Sequence, residues 1–255
     1  MKFYVCIKQV PDVNAPLQIK DGELIQDNDR NILNAYDASA LEEAIVIRDA
    51  HGGEISSVLV GPEKARETIR KALAMGADSG IHILPGEESE PDSLGYATLL
   101  AAFFKDKEYD YILCGKQSQD TDAGLTGSML AELLNIPYVT NAVGITVEDD
   151  KLVVKRQGDT GQEVIEVSTP ALITCSNDMN DPRIPSLKGI MQSKRKPVET
   201  LSASDLSTEK VHQTKTRVSG YSEKPARAPG RKFEGEPEQI AAEVAQLLDS
   251  AENVI

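Results

Sequence analysis

A chain of 255 residues with 40% hydrophobic content can bury a sizeable core, which excludes a disordered or fibrous protein. Acidic residues outnumber basic ones 41 to 27, and the formal net charge of −14 repels a phosphate backbone or an anionic lipid surface, so nucleic acid is excluded as the main partner. Cys6, Cys114 and Cys175 stand singly in apolar runs without a CxxC pair or histidine cluster, and the opening MKFYVCIKQV is too soon broken by Lys8 for a signal peptide, so a soluble protein of the reducing cytoplasm without direct membrane insertion is expected.

Along the chain, Phe3 to Val10 reads as a buried strand. Tyr36 to Ala50 reads as a helix, with Ala40, Leu41, Ala44, Ile45 and Ile47 at helical spacing and Gly52-Gly53 supplying the stop. Ile55 to Val60 is a second strand, followed by Gly61-Pro62 and a helix over Glu63 to Met75, with Pro62 suited to a first helical turn. Gly80 to Leu84 is the third strand; after an acidic loop at Gly86 to Glu90, a helix runs over Ser93 to Phe104, and Asp110 to Cys114 is the fourth strand. Leu125 to Leu134 makes the next helix. Strands alternating with helices long enough for crossovers predict a doubly wound α/β fold with a mostly parallel sheet.

From Val139 the pattern changes. Val139 to Val147, Lys151 to Gln157, Gln162 to Val167 and Ala171 to Cys175 are strand-like, with turns at Glu148-Asp149-Asp150 and Gly158-Asp159-Thr160-Gly161, so added β-hairpins extend the sheet. From Leu201 periodicity is lost, and Thr208 to Glu236, with its prolines and glycines, reads as an extended C-terminal arm. Pro237 to Ala251 forms a last helix with Ile240, Ala241, Val244, Leu247 and Leu248 on one stripe, which needs a surface to lie on, on this chain or on a partner. The expected division is residues 1–206 as the α/β domain and 207–255 as arm and helix.

The stretch ILCGKQSQDTDAGLTG, Ile112 to Gly127, runs from a strand through a small, polar loop into a helix. Such a loop lies at the carboxyl end of a parallel sheet, where ligands of open α/β folds bind. Gly115, Gly124 and Gly127 permit close backbone approach, Ser118, Thr121 and Thr126 offer hydroxyls, and the helix start stabilises an anion through its unpaired N–H groups. The spacing is neither a P-loop nor GxGxxG, and the same residues also make a tight turn and an N-cap. Asn34-Ala35-Tyr36-Asp37 and Val60-Gly61-Pro62 open two further helices toward the same edge, so an adenosine phosphate is a candidate ligand.

A second constellation is NDMNDPRIPSLKGIMQSKRKP, Asn177 to Pro197. Asp181-Pro182 and Ile184-Pro185 stiffen an extended segment. Leu187, Ile190 and Met191 sit between these prolines and the basic Lys194, Arg195 and Lys196. Periodicity alone favours a loop that tucks its apolar groups onto its own domain beside a solvated basic patch. The alternative is a docking loop with an apolar anchor and a steering charge for an acidic partner. His51, His82 and His212 are isolated, no side chain is placed for covalent or acid–base chemistry, and no metal site is expected. Lys8, Gln9 and Asp12, at the end of the first strand, could face an interface or cap a turn.

These residues carry a resemblance to the β subunit of electron-transfer flavoproteins. VCIKQVPD, NAYDASALEEA, ALAMGADSGIH, GKQSQDTDAGLTG and NDPRIPSLKGIMQSKRK occur in the family's order from the first strand to about Leu206. The resemblance implies an adenine-nucleotide-hydrolase-like fold and a larger α subunit holding the redox-active FAD. The dimer would shuttle electrons from an acyl-CoA dehydrogenase, or a similar flavoprotein donor, to a quinone reductase or another acceptor. It implies a non-enzymatic carrier subunit with its own AMP. The matching positions are Cys6, Asn34, Ala35, Tyr36, Asp37, Val60, and the loop Gly115, Lys116, Gln117, Ser118, Gln119, Asp120, Thr121, Asp122, Ala123, Gly124, Leu125 and Thr126. The 177–197 segment resembles the family's recognition loop, with Leu187 as its anchor, which reverses the preference from periodicity.

Two departures accompany the match. Gly124-Leu125 replaces an Asn-Gln pair found in many members, and Val13 replaces a tyrosine near the flavin ring. A bifurcating branch of the family, with a second FAD oxidising NADH in place of AMP, also carries an Asp-x-Asp pair comparable to Asp120 and Asp122. A partner-free adenine-nucleotide-binding module would keep the sheet and loop but leaves Leu187 and the arm without a reason.

Overall fold

Alternation of side chains along the short apolar runs builds one large sheet. The computed structural model describes the chain apart from residues 17, 26–29, 87–90, 149–150, 207–213 and 251–255. The acidic loop after Gly86, the Asp149-Asp150 turn, His212 with the start of the arm, and Ala251 lie outside the described residues.

In chain order the elements are β1 (Lys2–Ile7), β2 (Gln9–Pro11), β3 (Gln18–Lys20), β4 (Glu23–Ile25), β5 (Asn31–Leu33), α1 (Ala35–His51) and β6 (Glu54–Val60). A 3₁₀ turn (Glu63–Ala65) leads into α2 (Arg66–Met75), then β7 (Ser79–Leu84), α3 (Ser93–Phe104), β8 (Tyr111–Gly115) and α4 (Thr126–Leu134). The later elements are β9 (Tyr138–Glu148), β10 (Lys151–Gln157), β11 (Gln162–Ser168), β12 (Ala171–Cys175), α5 (Leu187–Ser193), β13 (Val198–Ser202) and α6 (Pro237–Ser250). Among the described residues the large sheet has the strand order β11-β10-β9-β12-β8-β1-β6-β7-β13; β10 runs antiparallel to β9 and β11, and every other pairing within it is parallel.

Two apolar cores cover the two faces. Phe3, Val5 and Ile7 of β1 and Leu113 of β8 join Leu41, Ile45, Ile69 and Leu73 of α1 and α2. Cys6, Ile112 and Cys114 face the other way, onto Leu99, Leu100 and Phe103 of α3 and Leu130 of α4. This is the expected doubly wound layering. β1 leads by way of α1 to β6 on one side, whereas β8 pairs with β1 from the other side. The topological switch point therefore lies between β1 and β8, and the carboxyl ends of these strands are Ile7 and Gly115.

Four local expectations are corrected. The single strand over Phe3 to Val10 breaks at Lys8, because its N–H goes to Asp37 and its carbonyl accepts from Asn34 N, so Gln9–Pro11 leaves the sheet to pair with β5. The helix over Glu63 to Met75 begins as a 3₁₀ turn. The stiff segment after Pro185 closes into α5, where Ser186 Oγ accepts from Gly189 N at 3.1 Å. Val198–Ser202, adjoining the stretch that loses periodicity at Leu201, joins β7 as a parallel edge strand.

Residues 1–220 form one compact unit and residues 221–255 a second. In the second, Arg231 Nη2 donates to Glu243 Oε1 at 2.6 Å, and α6 has no fully buried residue among those described. Ile240, Val244, Leu247 and Leu248 are half-buried, while Ala241 is exposed.

Candidate functional site

The switch point is closed by a carboxylate. Asp37, in the first turn of α1, accepts from Lys8 N at 2.7 Å through one oxygen and from Gly115 N at 2.9 Å through the other. It thereby bridges the ends of β1 and β8. A Cβ on Gly115 would lie 2.4 Å from Asp37 Oδ1 and 2.6 Å from Tyr36 Cβ, so this glycine serves the approach of helix to strand. Burial pushes the Asp37 carboxyl up to about 7, working against the hydrogen bonds from Lys8 and Gly115.

The loop after β8 is stitched to the same helix start. Asn34 Nδ2 donates to Gln117 O at 2.9 Å, Gln119 N to Asn34 Oδ1 at 3.2 Å, and Ala35 N to Gln119 Oε1 at 3.0 Å. The first amide of α1 is therefore occupied by the protein's own side chain. Lys8 Nζ reaches both oxygens of Asp120, at 2.8 and 2.7 Å, and Ser118 Oγ bonds Asp120 Oδ1 and Thr121 Oγ1 at 2.7 and 2.9 Å. Burial would raise the Asp120 carboxyl, but the bonds from Lys8 and Ser118 outweigh it and hold the group below the ordinary range. Gln117 Nε2 donates to Asp122 Oδ1 at 2.6 Å, and Asp122 takes a left-handed φ of 57° in the turn. Lys116 Nζ stands over the Tyr36 ring and Lys8 Nζ over that of Tyr96.

The start of α4 differs. Its N-cap, Leu125, is 59% exposed and gives no side-chain hydrogen bond to the first turn. Gly127 lets this helix sit tightly on the sheet, since a Cβ there would lie 2.6 Å from Thr174 Cγ2 and 2.9 Å from Cys114 Sγ. Beneath, Cys6, Val60 and Cys114 form a buried apolar floor, and burial pushes all three cysteine thiols up, leaving them neutral and unreactive. Gly61, the third expected helix opening, is held through its carbonyl by His82 Nε2 at 3.1 Å and through its N–H by Ile83 O.

Among the expected site residues, the structure gathers Asn34 to Asp37 with Gly115 to Ala123 in one hydrogen-bonded unit over the switch point. The hydroxyls of Ser118 and Thr121 are spent inside that unit, whereas the first turn of α4, from Thr126, retains amides without a side-chain cap. An anion fits there by its helix-terminal N–H groups. A depression of about 1620 Å³, lined in part by Lys2, Phe103, Asp110 and Pro170, lies instead at the amino ends of β1, β8 and β12. Open α/β sheets bind ligands at the other edge, which favours the loop.

The second constellation is mounted on two helices. Arg183 donates from Nε and Nη2 to both oxygens of Glu42 on α1, at 2.8–3.1 Å, and its own amide bonds Glu42 Oε2 at 3.0 Å. Asn180 Nδ2 donates to Ser39 O and Glu43 Oε2. On the far side of α5, Arg70 Nη1 donates to the carbonyls of Ser193 and Lys196, and Lys196 Nζ to those of Leu73 and Ala77 at the end of α2. Lys196 thus caps a helix, unlike the exposed Lys194 and Arg195 expected to act with it. Leu187 is 83% exposed, Met191 72%, Ile190 44% and, not anticipated from the sequence, Ile184 91%. Sequence reasoning also missed Arg183, whose signal was a lone arginine between two prolines, and Glu42, an acid on the buried stripe of an apolar helix. Among the described residues no cluster of histidine, cysteine or acidic groups is arranged for a metal, and no helix is long and apolar enough to cross a membrane.

Residues 22–206 match the family model described as the electron transfer flavoprotein domain. The electron transfer flavoprotein subunit beta of Bacillus subtilis (strain 168) is 35% identical over 100% of both chains. The subunit beta of Mus musculus is 35% identical over 94% of this chain and 96% of that protein. The caffeyl-CoA reductase-Etf complex subunit CarD of Acetobacterium woodii is 40% identical over 81% of this chain and 80% of that one.

Proposed function

Because this chain belongs to the electron transfer flavoprotein family as a β subunit, we propose that it is the scaffold half of a cytoplasmic two-subunit electron carrier, with AMP at its switch point and a docking surface on α5. A larger α subunit is its partner, an acyl-CoA-type dehydrogenase its donor, and a quinone reductase or similar protein its acceptor. FAD, held mainly by the α subunit, supplies the redox chemistry. This chain's residues bind and orient. The start of α4 holds a phosphate through its backbone amides, Cys6 and Val60 wall the adenine, and the unit of Asp37, Lys8 and Asp120 fixes the loop around it.

One observation carries the nucleotide reading: at the switch point the loop after β8 is tied down by Asn34, Asp37 and Lys8, yet the helix it opens has no side-chain cap. The neighbouring acids do not oppose an anion strongly, since Asp120 is neutralised by Lys8 at 2.7 Å. The docking reading is supported by Leu187 and Met191, apolar and exposed on an element tied to α1 and α2.

A second reading places another FAD, oxidising NADH, where AMP would sit. The Asp120-x-Asp122 pair and the absence of amide side chains at Gly124 and Leu125 favour it. Co-purifying the chain with its α subunit, identifying the released nucleotide and counting flavin per dimer decides between them. One flavin with one AMP is the expected result, two flavins establish the second reading, and a dimer with no nucleotide in this subunit overturns both.

A further inference from the structure

The segment that leads into the exposed Leu187 at the start of α5 is held by one ion pair. Arg183 meets Glu42 with three donor groups, Nε, Nη2 and its own amide, and Glu42 is only 7% exposed. Asp49, about two turns further along α1, adds a weaker contact to Nη1 at 3.7 Å. A buried carboxylate that has lost this partner would be left uncompensated, so the pair holds the segment in one place. From Arg183 the chain reaches Leu187 through Ile184, Pro185 and Ser186. Pro185 restricts the residue before it, and Ser186 closes the helix cap. Little freedom remains between the guanidinium and the exposed leucine. The opposite end of α5 is fixed separately: Arg70 of α2 donates to the carbonyl of Lys196, and Lys196 Nζ donates to Ala77 O just beyond α2.

We propose that Arg183 is a positioning residue for partner docking: its fork on Glu42 aims Leu187 at the partner protein without touching that protein. The inference rests on the docking reading above. A preorganised anchor spares the ordering of the segment on association, so loss of the fork falls on KM for the partner rather than on kcat. The same helix carries the switch-point loop on its first turn, through Asp37, about 8 Å along the axis from Glu42 at 1.5 Å per residue. Arg183 therefore references the docking residues to the rigid body that holds the loop.

The test uses the complete dimer with its α subunit and an acyl-CoA dehydrogenase, charged with its acyl-CoA substrate, as electron donor. Four carriers are compared: wild type, Arg183→Lys, Leu187→Ala and the double variant. Lysine keeps the charge beside Glu42 but loses the planar fork. The expected result is a KM for the carrier raised about tenfold by Arg183→Lys, the scale of ordering one or two residues on binding. In the Leu187→Ala background the same change has little further effect, because Arg183 acts through the leucine. A wild-type KM in Arg183→Lys overturns the proposal. So does full additivity, which would make Arg183 act independently of Leu187. If Leu187→Ala itself leaves KM unchanged, the docking reading falls and the proposal with it. Should Arg183→Lys fail to fold, Glu42→Gln combined with Arg183→Gln removes both charges at similar shape and is judged by the same outcomes. Hydrogen exchange across residues 181–191 rises in the folded variants that lack the fork, and unchanged exchange in them overturns the proposal.

Discussion

Asp37 accepts one backbone amide from each side of the switch point, and the amide of the same shape cannot do so. Asparagine offers a single acceptor oxygen and turns its amide hydrogens toward the second N–H. Loss of that bond costs about 1–3 kcal/mol, the range for a buried group left unpaired. Burial raises the folded carboxyl from 3.8 to about 7, so the folded protein holds its proton more tightly than the unfolded chain. This residue's contribution to stability is therefore largest near pH 4, declines as pH rises toward 7 and is level above it. Asp120, held below its ordinary value by Lys8 and Ser118, contributes in the opposite sense, losing stability as pH falls. Urea unfolding of wild type and Asp37→Asn across pH 5 to 8 separates the two. The variant is less stable throughout, and the difference between the proteins narrows as pH rises; a constant difference refutes a proton on Asp37. The glycines, hydroxyls and acids of this loop are legible as a candidate site from their order along the chain. Their division of labour is not, because Gly115 answers to Asp37, 78 positions away, and such pairing leaves no local pattern.

At the scale of elements, α5 shows why a short helix escapes periodicity. Its seven residues expose both Leu187 and Met191, so no buried stripe marks it, and what fixes it comes from α1 and α2. The basic cluster after it was readable as a unit of charge, but Lys196 turns inward to the last carbonyls of α2 while Lys194 and Arg195 remain in solvent. The two kinds of lysine respond differently to substitution. Lys196→Met removes two hydrogen bonds from a charged donor and lowers stability by about 1–3 kcal/mol, read from the denaturation midpoint. Lys194→Ala with Arg195→Ala leaves the midpoint within about 0.5 kcal/mol, as for surface positions, and instead slows association with an acidic partner in low salt. If the outer pair also shifts the midpoint, or Lys196→Met does not, the assignment of Lys196 as a helix cap fails.

The whole molecule follows from alternation: parallel strands need crossovers, and helices then cover both faces. That much is written in composition and period. Strand order is not, because placing β8 beside β1 and β13 beside β7 depends on pairings between distant segments. Among the described residues of the second compact unit, which spans 221–255, none is fully buried, and this includes its 14-residue α6. A helix of this length is marginal in water unless its apolar face is covered. Ile240, Val244, Leu247 and Leu248 supply such a face, and in the carrier proposed above the covering surface belongs to the α subunit. The sheet and both cores lie within residues 1–220, so a chain ending at Gly220 keeps a cooperative unfolding transition. It should lose the α subunit on co-purification, and Leu247→Asp with Leu248→Asp in the full chain should do the same by charging that face. Retention of the α subunit by both proteins places the subunit interface on the α/β unit alone; loss of the cooperative transition on truncation makes the arm part of the fold.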